Sequence, residues 1–237
     1  MNYSRGNILF IILIAIALFG ALSFAVSQSK TGTAKNMSGE KLTIKVDQLL
    51  EYAQNVRSAV NFIYTHNNIS ESDIRFAHPE LDAAYGDYTA LNSEQMVFDP
   101  SGGGIDYKPA PAGINDGSDW FFTGRTCVSQ VGTDGGAGGA CHGVPNSELI
   151  MFLPNVTYEA CVEIDRKLSL LTASGTPPQD DINMYNIATD HFSGTFGAVY
   201  SIYDSGGILV GAKAGCVEGH TTPAAGTYHF YQVLLER

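Results

Sequence analysis

The chain has 237 residues and a net charge of −11, from 24 acidic and 13 basic side chains. Such a surface repels phosphate backbones, which excludes nucleic acid as a partner. The 26 glycines, 12 phenylalanines and 12 tyrosines favour strands joined by turns, and none of the four cysteines forms the Cys-x-x-Cys pair of a zinc knuckle.

Ile8 to Val26 is an uncharged apolar run. As a helix it would cover about 28 Å, enough to cross a bilayer core, so a transmembrane helix is expected over residues 7–27. Three fates of the N-terminus are open. Small residues at Ala25-Val26-Ser27 suit a signal-peptide cut after Ser27; the run could stay as a plain uncleaved anchor; or a short leader could be removed after Gly6.

The third fate rests on a likeness. Met1-Asn2-Tyr3-Ser4-Arg5-Gly6, followed by Asn7-Ile8-Leu9-Phe10, resembles the prepilin-type signal of type IV pilins and pseudopilins. The resemblance implies that residues 1–6 are a leader, cut between Gly6 and Asn7 by prepilin peptidase. It also implies that the apolar helix holds the subunit in the membrane and packs against like subunits or other pilin-type proteins. The chain departs from the family pattern at Asn7, where Phe or Met is usual, and at Ile11, where the fifth mature residue is usually glutamate.

Residues 28–40 are polar, include Gly32 and Gly39, and read as a linker to an extracytoplasmic α+β domain over 41–237. Leu42, Val46, Leu49, Ala53, Val56, Val60 and Ile63 recur at alternating spacings of four and three, one face of an amphipathic helix ending near His66-Asn67-Asn68. Met96–Phe98 and Ile105–Tyr107, flanking a Ser-Gly-Gly-Gly turn, read as strands. So do Trp120–Thr123 and Glu148–Leu153, the latter ended by Pro154. Tyr158–Leu171 has helical spacing, with Asn155 or Thr157 as its cap. Thr195–Tyr203, Ile208–Ala212 and Thr227–Leu235 complete the strands. The last is apolar on both faces, as a central strand would be.

An even cysteine count in an exported chain reads as two disulfides. Three connectivities are possible for Cys127, Cys141, Cys161 and Cys216; the favoured one joins Cys127 to Cys141 around a Gly-rich loop and Cys161 to Cys216.

No catalytic constellation emerges. Asp204-Ser205-Gly206-Gly207 has the letters of a trypsin-like nucleophile loop but fits a turn between strands. Of the six histidines none forms an i, i+4 metal pair, and Asp190-His191 is the nearest to a ligand couple. Asp116, Asp119, Asp180 and Asp181 lie in polar loops without calcium-loop spacing. Gly132 to Gly139 lacks the register of a dinucleotide loop. No metal, cofactor or catalytic residue is expected.

The expected fold is therefore α+β: an N-terminal transmembrane helix, then an amphipathic helix packed on an antiparallel β-sheet, the pilin-like lollipop. The expected function is a non-enzymatic, pilin-like or pseudopilin-like subunit of a cell-envelope filament or secretion system. It would be anchored in the inner membrane with its globular domain periplasmic or extracellular. The alternative is a signal-anchored binding module that does not polymerise.

Overall fold

The computed structural model describes residues 39–132, 141 and 147–237. Helix α1 covers 39–66, so Gly39 and Glu40, placed in the linker by composition, are already helical. Residues Lys45–Arg237 form one compact unit. Within it Val46, Leu49, Ala53, Val56, Val60 and Ile63 are fully buried, which makes the four-three seam the packing face of α1.

Five strands form one sheet: β1 Phe121–Val128, β2 Glu148–Val156, β3 Tyr200–Ile202, β4 Ala214–Glu218 and β5 Tyr228–Leu235, in the order β3-β1-β2-β5-β4. The sheet curls into a half-barrel. β2 and β5 lie at its centre, and both are buried along nearly their whole length. This is why their sequences are apolar without alternation. β2 does not stop at Pro154. It continues to Val156 through a register shift between Leu153 and Val156, the kind of irregularity that admits proline inside a sheet.

Phe121, Phe152 and Tyr231 are cross-strand partners on one face, as are Phe122, Met151 and Gln232 on the other. The first face packs with Met184, Tyr185, Ile202 and Leu209, largely from the irregular segment between 180 and 212. The second lies under α1: Gln54 Nε2 donates to Gln232 Oε1 at 2.9 Å, and Asn61 Nδ2 donates to the Leu234 carbonyl at 3.2 Å. Helix α2, Tyr158–Leu168, begins where the Thr157 hydroxyl accepts the Ala160 N–H and ends at left-handed Ser169. It joins the same layer through Lys167, whose Nζ lies 2.7 Å from an Asp47 carboxylate oxygen. Cys127 is bonded to Cys141, and Cys161 in α2 to Cys216 in β4.

Several expectations are corrected. The sheet is mixed, because β1 and β3 run parallel. Met96–Phe98 and Ile105–Tyr107 form no strands: the chain turns tightly over 99–104, where Gly103 N–H returns to the Met96 carbonyl at 2.9 Å. Ile208–Ala212 is a turn, and the strand lies just after it, in β4. Among the described residues no helix is long and apolar enough to cross a membrane. The lollipop fold class is corrected to an α+β domain with a mixed sheet. The membrane-anchored, pilin-like function and inner-membrane placement that depended on such a helix are corrected with it. The run expected to span, together with Gly6 and Asn7, lies outside the described residues.

Candidate functional site

One cleft of about 350 Å³ gathers polar groups from three separate segments at the end of the sheet where β1 begins. A single-turn 3-10 segment contributes Asp82, which caps it by accepting the Ala84 N–H at 2.8 Å, and Tyr85. The turn before β1 contributes Ser118, Asp119, Trp120 and Phe121, and the loop from the opposite layer contributes Ile187 and His191. Each segment is tied down. Asp116 accepts both the backbone N–H and the hydroxyl of Ser118, and Asn155 Nδ2 donates to its other oxygen at 2.9 Å. Those bonds hold the Asp116 carboxyl below the usual carboxylate range, with the Ser118 hydroxyl the main cause. Asp190 accepts the Asn186 N–H at 2.9 Å, and Phe192 N–H bonds the Phe122 carbonyl on β1 at 2.9 Å, so His191 sits on a fixed loop.

The His191 ring is clamped edge-on between two aromatics. Its centroid is 4.9 Å from Tyr85 and 5.2 Å from Phe121, with interplanar angles of 75° and 77°. Its Nε2 lies 3.9 Å from an Asp82 carboxylate oxygen. The Tyr85 hydroxyl is buried and accepts the Phe122 N–H at 2.8 Å. Burial pushes that phenol well above its usual range, and the negative charges of Asp82 and Asp119 add to the effect. Its own proton has no acceptor among the described residues. The Asp119 carboxylate stays at the surface, 3.5 Å from the Tyr107 hydroxyl.

A longer depression follows α1. Tyr52, Asn55 and Lys108 are shared by its two halves, each of about 460 Å³. Its far wall is the extended stretch up to Pro111, fixed to the helix by the Lys108 N–H, which donates to the Tyr52 hydroxyl at 3.0 Å. Burial pushes the Tyr52 phenol up to about 12.

Of the residues singled out from sequence, Asp119 and His191 meet in the first cleft, and the others lie elsewhere. All four cysteines are structural bonds between segments. Asp180 and Asp204 are buried and spend oxygens on backbone N–H groups, Asp180 on Tyr203 and Asp204 on Ile208 and Leu209. Asp204-Ser205-Gly206-Gly207 is a turn, with Gly207 N–H on the Asp204 carbonyl at 3.0 Å. Asp190 and His191 share no ligand position, since Asp190 is spent on its own loop. No group of His, Cys, Asp and Glu able to hold a metal occurs among the described residues. Asp82 and Tyr85 carried no sequence signal, because their meeting with Asp119 and His191 depends on the tertiary fold. Comparison with known families, curated proteins and solved structures returns no match.

Proposed function

We propose that this protein is a recognition domain that binds a small polar ligand in the Asp82–Asp119–His191 cleft and does not transform it. The observation that carries the reading is the clamped His191 imidazole, held between Tyr85 and Phe121 with the Asp82 carboxylate at its edge. Polar groups converging over an apolar floor are the usual composition of a ligand site. Recognition is favoured over catalysis because the cleft's serine gives its proton to Asp116 and, among the described residues, has no imidazole in hydrogen-bond reach. The depression along α1 is larger, but its described lining includes no histidine. Two disulfides suit work in an oxidising environment.

The test is a ligand-observed NMR screen of the purified full-length chain against a chemically mixed library of small polar molecules. At least one class should bind, and Asp119→Ala should weaken it about tenfold, as expected for losing a hydrogen bond to a charged group. Binding that ignores both Asp119→Ala and His191→Ala, or no binding by any class, would overturn the reading.

A further inference from the structure

We infer that Asn68 is a glycan-attachment site, whose side-chain amide takes an oligosaccharide from a polyprenyl-diphosphate donor. The inference is independent of the cleft. Asn68-Ile69-Ser70 is an Asn-x-Ser/Thr acceptor triplet. Four such triplets occur in the chain, at Asn2, Asn36, Asn68 and Asn155. The first two lie outside the described residues, and the fold separates the other two.

Asn155-Val156-Thr157 is spent on structure. Asn155 Nδ2 donates to Asp116 Oδ2 at 2.9 Å and lies 3.4 Å from the Ser118 hydroxyl. Val156 is buried and pairs with Tyr228 in the sheet. The Thr157 hydroxyl caps α2. The amide nitrogen therefore faces Asp116 and Ser118, where a transferred sugar would have to stand.

Asn68-Ile69-Ser70 leaves its acceptor groups open. It lies in the loop between the end of α1 and the 3-10 turn Glu71–Asp73. Asn68 and Ser70 are both exposed. Among the described residues no group bonds the Asn68 amide, whereas its neighbour Asn67 spends Nδ2 on the Glu94 carbonyl at 3.3 Å. The Asn68 φ of 53° turns the chain out of the helix in a conformation that asparagine tolerates. The Ser70 hydroxyl does not cap the 3-10 turn; it meets the hydroxyl of exposed Ser72 at 3.0 Å, where either oxygen can donate. Two disulfides suit an exported chain, the setting in which such triplets are glycosylated.

In the transfer Asn68 Nδ2 bonds to the anomeric carbon of the donor's first sugar. The bond from that carbon to the diphosphate oxygen breaks, and the polyprenyl diphosphate leaves with the electron pair. Nδ2 gives up one of its two protons, and nothing is oxidised or reduced.

The experiment is mass spectrometry of the full-length chain isolated from its own cells, reduced and cut with trypsin. Peptides Ser58–Arg75 and Thr126–Arg166 carry Asn68 and Asn155 separately. The first should carry a mass increment of one or more sugar residues, localised to Asn68 by fragmentation, and the second should be bare. Ser70→Ala, which keeps the asparagine, should abolish the increment, and Ser70→Thr should retain it. Both changes fall at an exposed residue, so loss of the glycan in the alanine variant alone does not reflect a failure to fold. A bare Ser58–Arg75 peptide, sugar on Asn155 in place of Asn68, or an increment that survives Ser70→Ala would each overturn the assignment, and none of them touches the binding function of the cleft.

Discussion

Asp165 and Cys216 are joined by a hydrogen bond of 2.8 Å from the Cys216 N–H to the Asp165 carboxylate, one helical turn along α2 from Cys161, the residue to which Cys216 is bonded. Helix and strand are thus fixed at the same place twice. The second Asp165 oxygen, Oδ2, is buried without a partner. Burial pushes the carboxyl up to about 8, and the Cys216 N–H only partly opposes this.

A raised carboxyl stabilises the fold fully below its unfolded value near 3.8 and loses that contribution as pH rises through its folded value. Between pH 4 and 8 Asp165 therefore makes the protein less stable with rising pH, by at most about 1.4 kcal/mol per pH unit. Asp180, pushed up to about 7 by burial, acts in the same direction over pH 4 to 7. Asp165→Asn should be more stable than wild type at pH 8 by about 1–3 kcal/mol and should lose stability less steeply with rising pH. Urea denaturation at pH 5, 6.5 and 8 measures this, and an unchanged slope counts against it.

His229 works the other way. Its Nδ1 accepts the Asn155 N–H at 3.4 Å and lies 2.8 Å from the Tyr185 hydroxyl, which leaves Nε2, 2.7 Å from the Thr227 hydroxyl, as the protonated nitrogen. Burial lowers the imidazole to about 4. Its contribution is present above pH 6.5 and disappears as pH falls through 4. Three groups thus compete between pH 4 and 6.5. Counting these groups, wild type should gain stability on acidification, Asp165→Asn should be nearly flat, and Asp165→Asn with Asp180→Asn should reverse the slope. The same denaturation series reads all three.

The two disulfides should differ in worth. Loop-closure entropy assigns about 3 kcal/mol to a link between residues 14 apart and about 4 kcal/mol to one between residues 55 apart, the separations of Cys127–Cys141 and Cys161–Cys216. Paired alanine replacements, compared by urea midpoint, should follow that order. A greater loss from the shorter link would contradict it.

Tyr85→Phe should cost about 1–3 kcal/mol, because it strands the buried Phe122 N–H without an acceptor. Asp119→Asn, at the surface of the same cleft, should change stability by less than about 0.5 kcal/mol. Thermal unfolding of the two variants separates what holds the cleft together from what a ligand would touch.

Gly102 should tolerate no side chain. A Cβ there would stand 2.1 Å from the Met96 carbonyl oxygen, so Gly102→Ala should cost about 2–4 kcal/mol. Gly117 has open space around it but a φ of +97°, and Gly117→Ala should cost nearer 1 kcal/mol of backbone strain. Melting temperatures in the reverse order would refute the packing argument.

These glycines also show where sequence reasoning stops. The seam of α1, the Thr157 cap of α2 and the unbroken apolar runs of β2 and β5 are local patterns, and they are legible because burial follows a period. Met96–Phe98 has strand composition, but Gly102 and Gly103 let the chain fold back on those residues, and no ladder can form. β4 escaped notice because its inner positions are Gly215 and Cys216. A side chain at 215 would press within 2.9 Å of Leu170, so smallness is required where a strand pattern would call for bulk. The parallel pairing of β1 with β3 and the meeting of Asp82 with His191 depend on long returns of the chain, which no spacing records.

Both outer strands of the sheet have part of their outward backbone already occupied. On β4 the Cys216 N–H goes to Asp165 and the Glu218 N–H to the Pro178 carbonyl, while the Glu218 carbonyl takes the Asp180 N–H. On the three-residue β3 the Ser201 N–H goes to the Asn183 carbonyl. Sheet rims left open are templates for a foreign strand. With those groups taken, a partner finds no unbroken row of rungs to extend along β4 or β3. It must meet the protein through side chains and turns, and crowded, concentrated copies have no ready ladder along which to fuse into fibres.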